Sequence, residues 1–365
     1  MIHMNDFSAE PEELKKAQRE AFESVMNSGY YILGPQVKNF EDNWAKTLEA
    51  RYCVGVANGL DAIEIGLRVS GIGSGDEVIT TPMTAFATVL AIVRAGATPV
   101  LADIDASTGL MDPDSAKRCI SKRTRAILLV HLYGQIKAME TWQNLCRDHD
   151  ILLLEDCAQS HLSRWHGQSA GTFGAWGAYS FYPTKNLGAL GDAGAFITKD
   201  EALDKKARQL RNYGQSERYH HPTLGMNSRL DELQAAILSA RLRFLESFTQ
   251  TRREIANIYY DGISNPLVEV LKRPDAPENH CHHLFVVKTN RRSELMEHLK
   301  SHQIESLIHY PVPIHKQKSL QQVQHDPQGL TQVEKYAETC LSIPCHPHMT
   351  RATATHVVEV INRFV

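Results

Sequence analysis

Residues 151–195, ILLLEDCAQSHLSRWHGQSAGTFGAWGAYSFYPTKNLGALGDAGA, decide how the rest of the chain is read. Ile151–Leu154 is a short apolar run of the kind that forms a buried strand, and it ends in two acids, Glu155 and Asp156. Ala178–Tyr182 is a second such run, ending at Pro183-Thr184-Lys185, after which Gly188, Gly191 and Gly194 crowd the loop. In a parallel α/β sheet, ligands bind at the carboxyl ends of strands. The stretch therefore offers a carboxylate at one strand end and an amine just beyond another.

On the N-terminal side, strand-like and helix-like segments alternate. Helical periodicity at 11–28 and Val37–Leu48 is followed by a strand at Tyr52–Val56, a turn at Asn58-Gly59 and a helix at Asp61–Leu67. A strand running through a Gly turn into a helix leaves unpaired N–H groups pointing outward, which suits a phosphate, although an ordinary turn has the same pattern. Gly71, Gly73 and Gly75 precede the strand Glu77–Thr81, the wrong order for a dinucleotide fingerprint. A helix at Ala85–Arg94, a strand in ATPVLADID, a helix from Met111, a strand at Arg125–Val130 and a helix at Thr141–Arg147 complete the alternation. This predicts an α/β fold with a mainly parallel sheet covered by helices.

Beyond the glycine loop, Glu201–Arg211 reads as a helix and Asn212–Asn227 as an irregular segment. Ser228 opens a helix that runs through Phe248 to about Tyr260. An irregular stretch of that length inside a compact domain is usually functional. Strands at Leu267–Leu271 and His283–Lys288 and helices at Ser293–His302 and Ala352–Val365 form an α+β tail. The expected division is a large domain with its N-terminal arm, 1–248, and a small C-terminal one, 249–365.

Composition excludes several classes. A net charge of −3 over 365 residues gives no electrostatic case for nucleic acid or an anionic membrane. No apolar stretch is long enough to span a bilayer. The polar, acidic start, MIHMNDFSAEPEELKK, does not read as a signal peptide, and the seven cysteines form no CxxC. Both features lead to the expectation of a cytoplasmic protein with reduced thiols.

An Asp and a Lys held apart at strand ends suit pyridoxal phosphate, whose aldehyde forms a Schiff base with lysine and whose ring nitrogen pairs with a carboxylate. Asp156 has an alternative use as a helix cap and Lys185 as a surface lysine. EDCAQSH, SFYPTKNLGALGDAGA, RNYGQSERYHH and GMNSRLDELQAAIL, in that order, resemble the DegT/DnrJ/EryC1/StrS family of sugar aminotransferases. The resemblance implies a fold-type-I transferase with a seven-stranded type of mixed sheet. It also implies pyridoxal phosphate, with pyridoxamine phosphate as its other form, and a homodimer whose active site is shared between subunits.

Carried over by motif, Lys185 is the Schiff-base lysine and proton carrier, Asp156 the partner of the ring nitrogen and Gln159 that of the phenolic oxygen. The Gly59 and Leu60 amides and Ser180 hold the phosphate, Phe86 stacks on the ring, and Asn227 reaches in from the neighbouring subunit. Leu60 stands where many relatives have Thr, so only its N–H remains. His161, Arg229, His309, Tyr310 and His315 are candidates for the substrate side, with Arg211 and Arg218 as further partners for a diphosphate. The run His280-Cys281-His282-His283 invites a metal reading, but neighbours on an extended chain point to opposite faces, and no metal site is assigned.

The implied reaction moves an amino group from glutamate to a nucleotide-linked keto sugar, first of all a dTDP-3-keto-6-deoxyhexose. Amination at C4, or of a UDP-hexuluronate at C3, is the alternative within the family, and a non-catalytic regulatory relative is the alternative outside it. The family's dehydratases replace the lysine by histidine, and an oxidoreductase needs a GxGxxG after a strand. Neither feature is present here.

Overall fold

The computed structural model describes residues 1–320 and 322–365. In chain order its strands are β1 (Tyr52–Val56), β2 (Glu77–Thr80), β3 (Thr98–Leu101), β4 (Thr124–Val130), β5 (Leu152–Asp156), the short pair β6 (Arg164–Trp165) and β7 (Gln168–Ser169), β8 (Trp176–Ser180), β9 (Gly194–Thr198), β10 (Glu269–Val270), β11 (Phe285–Lys288), β12 (Gln324–His325) and β13 (Cys340–Ile343). Eight of them form one sheet, in the order β1-β9-β8-β5-β4-β2-β3-β12. Only β9 runs against its neighbours; the other pairings are parallel.

Successive side chains on the central strands face opposite layers, as a pleated strand requires. Ile127, Leu129 and Leu153 pack with Phe40 and Trp44 of the helix Pro35–Leu48. Ala126, Leu128 and Leu154 pack with Ile63, Ile65 and Leu67 of the helix Gly59–Val69. Both faces of the sheet are therefore covered, which is why these strands read as continuous apolar runs. A second sheet, β10-β11-β13, is antiparallel and shares its own core with the helices Leu245–Gly262, Arg292–Ser301 and Arg351–Asn362.

Two expectations change. The sheet has eight strands where seven were expected, because Gln324–His325 pairs in parallel with Val100–Leu101 at the edge. Two polar residues carry no strand pattern, so only the tertiary pairing reveals them. The long helix from Ser228 is two helices, Glu232–Leu242 and Leu245–Gly262. Ser228 does not cap it; its hydroxyl accepts the Ala57 N–H at 3.1 Å.

The edge strand is clamped by a buried carboxylate. Asp326 accepts from Arg118 Nη2 at 2.6 Å, from the Ser115 hydroxyl and from the Gln328 amide. Burial pushes its pKa up, but Arg118, Ser115 and the Gln328 amide outweigh that and hold it at about 2. A carboxyl lowered on folding stabilises the protein fully above its unfolded value and loses that contribution as pH falls through the folded one. Asp326→Asn is expected to lower stability by about 2 kcal/mol at pH 7. The difference from wild type should shrink between about pH 4 and pH 2, read by urea unfolding.

Candidate active site

The site is built at the carboxyl ends of β5 and β8. Glu155 and Asp156 are neighbours on β5 and point to opposite faces. Glu155 is fully buried, accepting from the amides of Gly171, Phe173 and Gly174 at 2.7, 2.8 and 2.9 Å. His131 Nε2 also lies 2.9 Å from it. Asp156 accepts from the Thr88 hydroxyl at 2.7 Å and the Ala158 amide at 3.0 Å. The acid with a structural role and the acid available to a ligand are thereby separated.

Lys185 follows β8 in the turn after Tyr182, whose carbonyl accepts the Lys185 N–H at 2.8 Å. The side chain is half-buried, but its amine end is closely surrounded by protein. Burial pushes its pKa down, Asp156 and Cys281 pull it back up, and it settles at about 8. An amine in that range exchanges protons readily near neutral pH.

The phosphate candidates meet as well. Asn58 caps the helix Gly59–Val69, its Oδ1 accepting the Asp61 N–H at 2.8 Å. That leaves the Gly59 and Leu60 N–H groups without intrahelical acceptors. Gly59 packs directly on Ser180: a Cβ at position 59 would lie 2.7 Å from the Ser180 Cβ. Two open amides, a hydroxyl and the positive end of a helix make a cradle for a phosphate.

Phe86 begins the helix Phe86–Arg94 and exposes 36% of its surface, and Thr88 of the same turn holds Asp156. Gln159 is held at both ends, its Oε1 accepting the Tyr133 N–H at 2.6 Å and its Nε2 donating to the Tyr310 hydroxyl at 3.2 Å. Burial and the nearby Asp156 carboxylate raise the Tyr310 pKa to about 12, so the phenol stays protonated. The neighbouring His309 has its Nδ1 2.8 Å from Ser342 Oγ, and burial beside Lys185 lowers its pKa to about 4. His309-Tyr310 thus arrives at the Asp156–Gln159 corner.

Other candidates lie elsewhere. His161 has no exposed surface; its ring sits among Trp44, Tyr179 and Phe181, 5.4–5.8 Å between centroids, with neither nitrogen bonded. Any contact with a substrate requires that cage to open. Burial, reinforced by Lys185, lowers its pKa to about 3. His315 pairs with Glu334 at 3.0 Å and, among the described residues, makes no hydrogen bond to the Lys185 cluster. Arg211 is buried against Glu41 and the Gly55 carbonyl at 2.7 Å, which removes it from the diphosphate candidates. Arg229 lies over the Tyr213 ring and donates to Asn212 Oδ1 at 3.3 Å, while Arg218 is exposed.

Asn227 is exposed and pairs with Asn212 at the neck of the irregular segment. The neck needs Gly214, at φ +70°, where a Cβ would lie 1.8 Å from the Thr223 oxygen. Leu224 in that segment is 94% exposed and Tyr219 78%. In the tetrad, His280 and His282 stack at 3.9 Å on one side, while Cys281 and His283 contact Gln159 and Asn186 on the other.

Sequence reasoning misses Thr88, Tyr133, Asn186 and His283. Thr88 can be found two residues after Phe86 in the first turn of its helix. Tyr133 has φ +60° with no glycine to signal it. For His283 the signal is the alternation of faces along the tetrad.

A buried carboxylate, a lysine with a lowered pKa and two open helix N-terminal amides beside a serine hydroxyl lie at the strand ends of an α/β sheet, an arrangement able to hold an aldehyde-bearing phosphate cofactor. A family model described as the DegT/DnrJ/EryC1/StrS aminotransferase family matches residues 12–362. The chain belongs to that family and is a sugar aminotransferase whose cofactor is pyridoxal phosphate, which the residues present are equipped to hold. It is 43% identical over 350 residues, 96% of each chain, to the dTDP-3-amino-3,6-dideoxy-alpha-D-galactopyranose transaminase of Aneurinibacillus thermoaerophilus. It is 40% identical over 360 residues to the dTDP-3-amino-3,4,6-trideoxy-alpha-D-glucose transaminase of Streptomyces venezuelae, covering 98% of this chain and 95% of the other. Among solved structures, DesV of S. venezuelae in complex with a ketimine intermediate superposes with a TM-score of 0.95 at 40% identity, covering 99% of this chain and 97% of that one.

Proposed function

We propose that the protein transfers an amino group from glutamate to a dTDP-linked 3-keto-6-deoxyhexose. The observation that carries this is the Lys185–Asp156 pair with the Gly59–Ser180 cradle, joined to similarity over almost the whole chain with transaminases acting on dTDP-3-amino sugars. The placement of Lys185 and Asp156 weighs against a regulatory protein without catalysis.

Pyridoxal phosphate supplies an electron sink that makes the donor's Cα–H acidic. When the cofactor is bound, Gly59, Leu60 and Ser180 would hold its phosphate, Asp156 would pair with the ring nitrogen, Gln159 would meet the phenolic oxygen and Phe86 would stack on the ring. With a pKa of about 8, roughly a tenth of Lys185 is neutral at pH 7, enough to take a proton from the donor carbon and return one to the sugar carbon. His309 and Tyr310, the latter bonded to Gln159, would line the sugar side, and Arg229, now on Tyr213 and Asn212, is the candidate for the diphosphate.

The homodimer belongs to the same proposal. Phe22 and Leu190 share one exposed groove, and Tyr30, Tyr31 and Leu224 are exposed as well, apolar surface that a second copy would cover, with Asn227 reaching into the partner's site. The division into 1–248 and 249–365 is likewise proposed. It is supported by the separate core around Phe285 and Leu341, although the helix Leu245–Gly262 spans the boundary and Gln324–His325 pairs in the large sheet. No helix of the described residues is long and apolar enough to cross a membrane.

The test is spectroscopic. The purified protein with pyridoxal phosphate should be yellow, and glutamate should bleach it. Adding dTDP-linked 3-keto-6-deoxyhexoses should restore the colour faster than 4-keto sugars or UDP-linked 3-keto uronates. Faster recovery with either of the latter would replace the sugar assignment. A colourless protein would end the whole reading.

A further inference from the structure

Asp156 is held on both of its oxygens. Oδ1 accepts the Ala158 N–H at 3.0 Å, and Oδ2 accepts the Thr88 hydroxyl at 2.7 Å. The first donor is backbone two residues along and comes with the turn after β5. The second belongs to the helix Phe86–Arg94 and is itself held, because Thr84 Oγ1 lies 2.8 Å from Thr88 Oγ1. An ionised carboxylate only accepts, so Thr88 donates to Asp156. That uses its one hydrogen, and the Thr84 hydroxyl must then donate to Thr88. Thr84 is 4% exposed and Thr88 1%, so solvent does not compete for either bond.

These hydroxyls do not serve the helix. A threonine at a helix start ordinarily caps a backbone N–H. Here Ala85 takes the N-cap position and no side chain caps the helix. Thr84, one residue before it, and Thr88, in the first turn, bond each other and then the strand carrying Asp156. Hydrogen bonds in such a chain polarise one another, and each fixes the rotamer of the next group. Phe86 stands in the same turn as Thr88. The ring that would stack on the cofactor and the carboxylate that would meet its nitrogen are therefore joined through one buried linkage between a helix and a strand.

We propose that Thr84 and Thr88 form a positioning relay for Asp156. The relay holds the carboxylate in one rotamer and in register with Phe86, so that the nitrogen and the face of the cofactor ring are met by one rigid unit. The proposal rests on Asp156 being the partner of the ring nitrogen. Thr84 touches neither Asp156 nor the ring in this arrangement and acts only through Thr88.

The test reads the ring nitrogen directly. Wild type and variants are loaded with pyridoxal phosphate labelled with ¹⁵N in the ring, whose nitrogen resonance differs between the protonated and unprotonated forms. Thr88→Val keeps the shape of the side chain and removes the donor. Its resonance is expected to move from the protonated position towards the unprotonated one, and kcat with glutamate to fall ~10-fold while KM changes less than about twofold. Thr88→Ser, which restores the hydroxyl, should return the resonance to the wild-type position and kcat to within about threefold. Thr84→Val should shift both in the same direction by less, and it serves if Thr88→Val does not fold. In crystals of the cofactor-free Thr88→Val protein, Asp156 should occupy more than one rotamer. An unmoved resonance with unchanged kcat in the folded Thr88→Val protein, or in Thr84→Val where that is the variant that folds, overturns the proposal. So does a loss that Ser fails to restore, or a Thr84→Val protein identical to wild type. The wild-type spectrum separates the two levels. An unprotonated ring nitrogen there ends the reading of Asp156; a protonated one that Thr88→Val leaves in place ends only the relay.

Discussion

The Lys185→Met protein will be inactive and, without cofactor, more stable than wild type. Turnover with glutamate should fall at least ~10⁴-fold, because no other side chain at the site combines a reactive amine with proton exchange. The stability gain follows from linkage. Burial depresses the Lys185 pKa from 10.5 to about 8. Between those values the unfolded chain holds a proton that the folded protein has released, so stability rises with pH there, and below about 8 the full penalty applies. Removing the charge should stabilise the apoprotein by about 1–3 kcal/mol at pH 7, the lower figure allowing for the half-buried stem. The gain should vanish by about pH 10.5, as measured by urea unfolding at both pH values. A Met variant less stable than wild type at pH 7 would mean that the lysine is not under this strain. Such a trade of stability for chemistry is common at active sites.

Two adjacent acids should fail in opposite ways. Glu155→Ala strips the acceptor from the Gly171, Phe173 and Gly174 amides and from His131 in a fully buried place. Leaving so many buried groups unpaired should cost about 3–5 kcal/mol, seen as a lower thermal midpoint or insoluble protein. Asp156→Ala leaves two hydrogen bonds unmade, to Thr88 and Ala158, and should cost only about 1–2 kcal/mol. Its turnover, however, should drop about 10²–10³-fold or more, since the ring nitrogen loses its counter-charge. Circular dichroism melting and glutamate-dependent turnover separate the two cases. A stable Glu155→Ala protein without activity, beside an active Asp156→Ala protein, would reverse the assignment.

Much of the site is legible in the amino-acid sequence. Apolar runs ending in ED and in PTK, separated by glycines, place the carboxylate and the amine at strand ends. The strand Tyr52–Val56 and its turn into the helix at Gly59 are readable because apolar burial and turn chemistry are local. Other features are not. The strand Gln324–His325 exists only through its pairing with β3. His161 reads as a substrate contact by position in its motif, yet three aromatic rings enclose it. Arg211 reads as a free cation, and Glu41, 170 residues away, has taken it.

By itself, the sequence determined the α/β class, the alternation of layers and the residue types at the two strand ends. These depend on periodicity and on turn-forming residues within a few positions. Tertiary structure decided which of the two adjacent carboxylates is taken up by backbone amides and which histidine is enclosed by aromatic rings. Each of those outcomes depends on partners brought from other parts of the chain. A charge or lone pair is available to a ligand only where the fold has left it bonding capacity to spare.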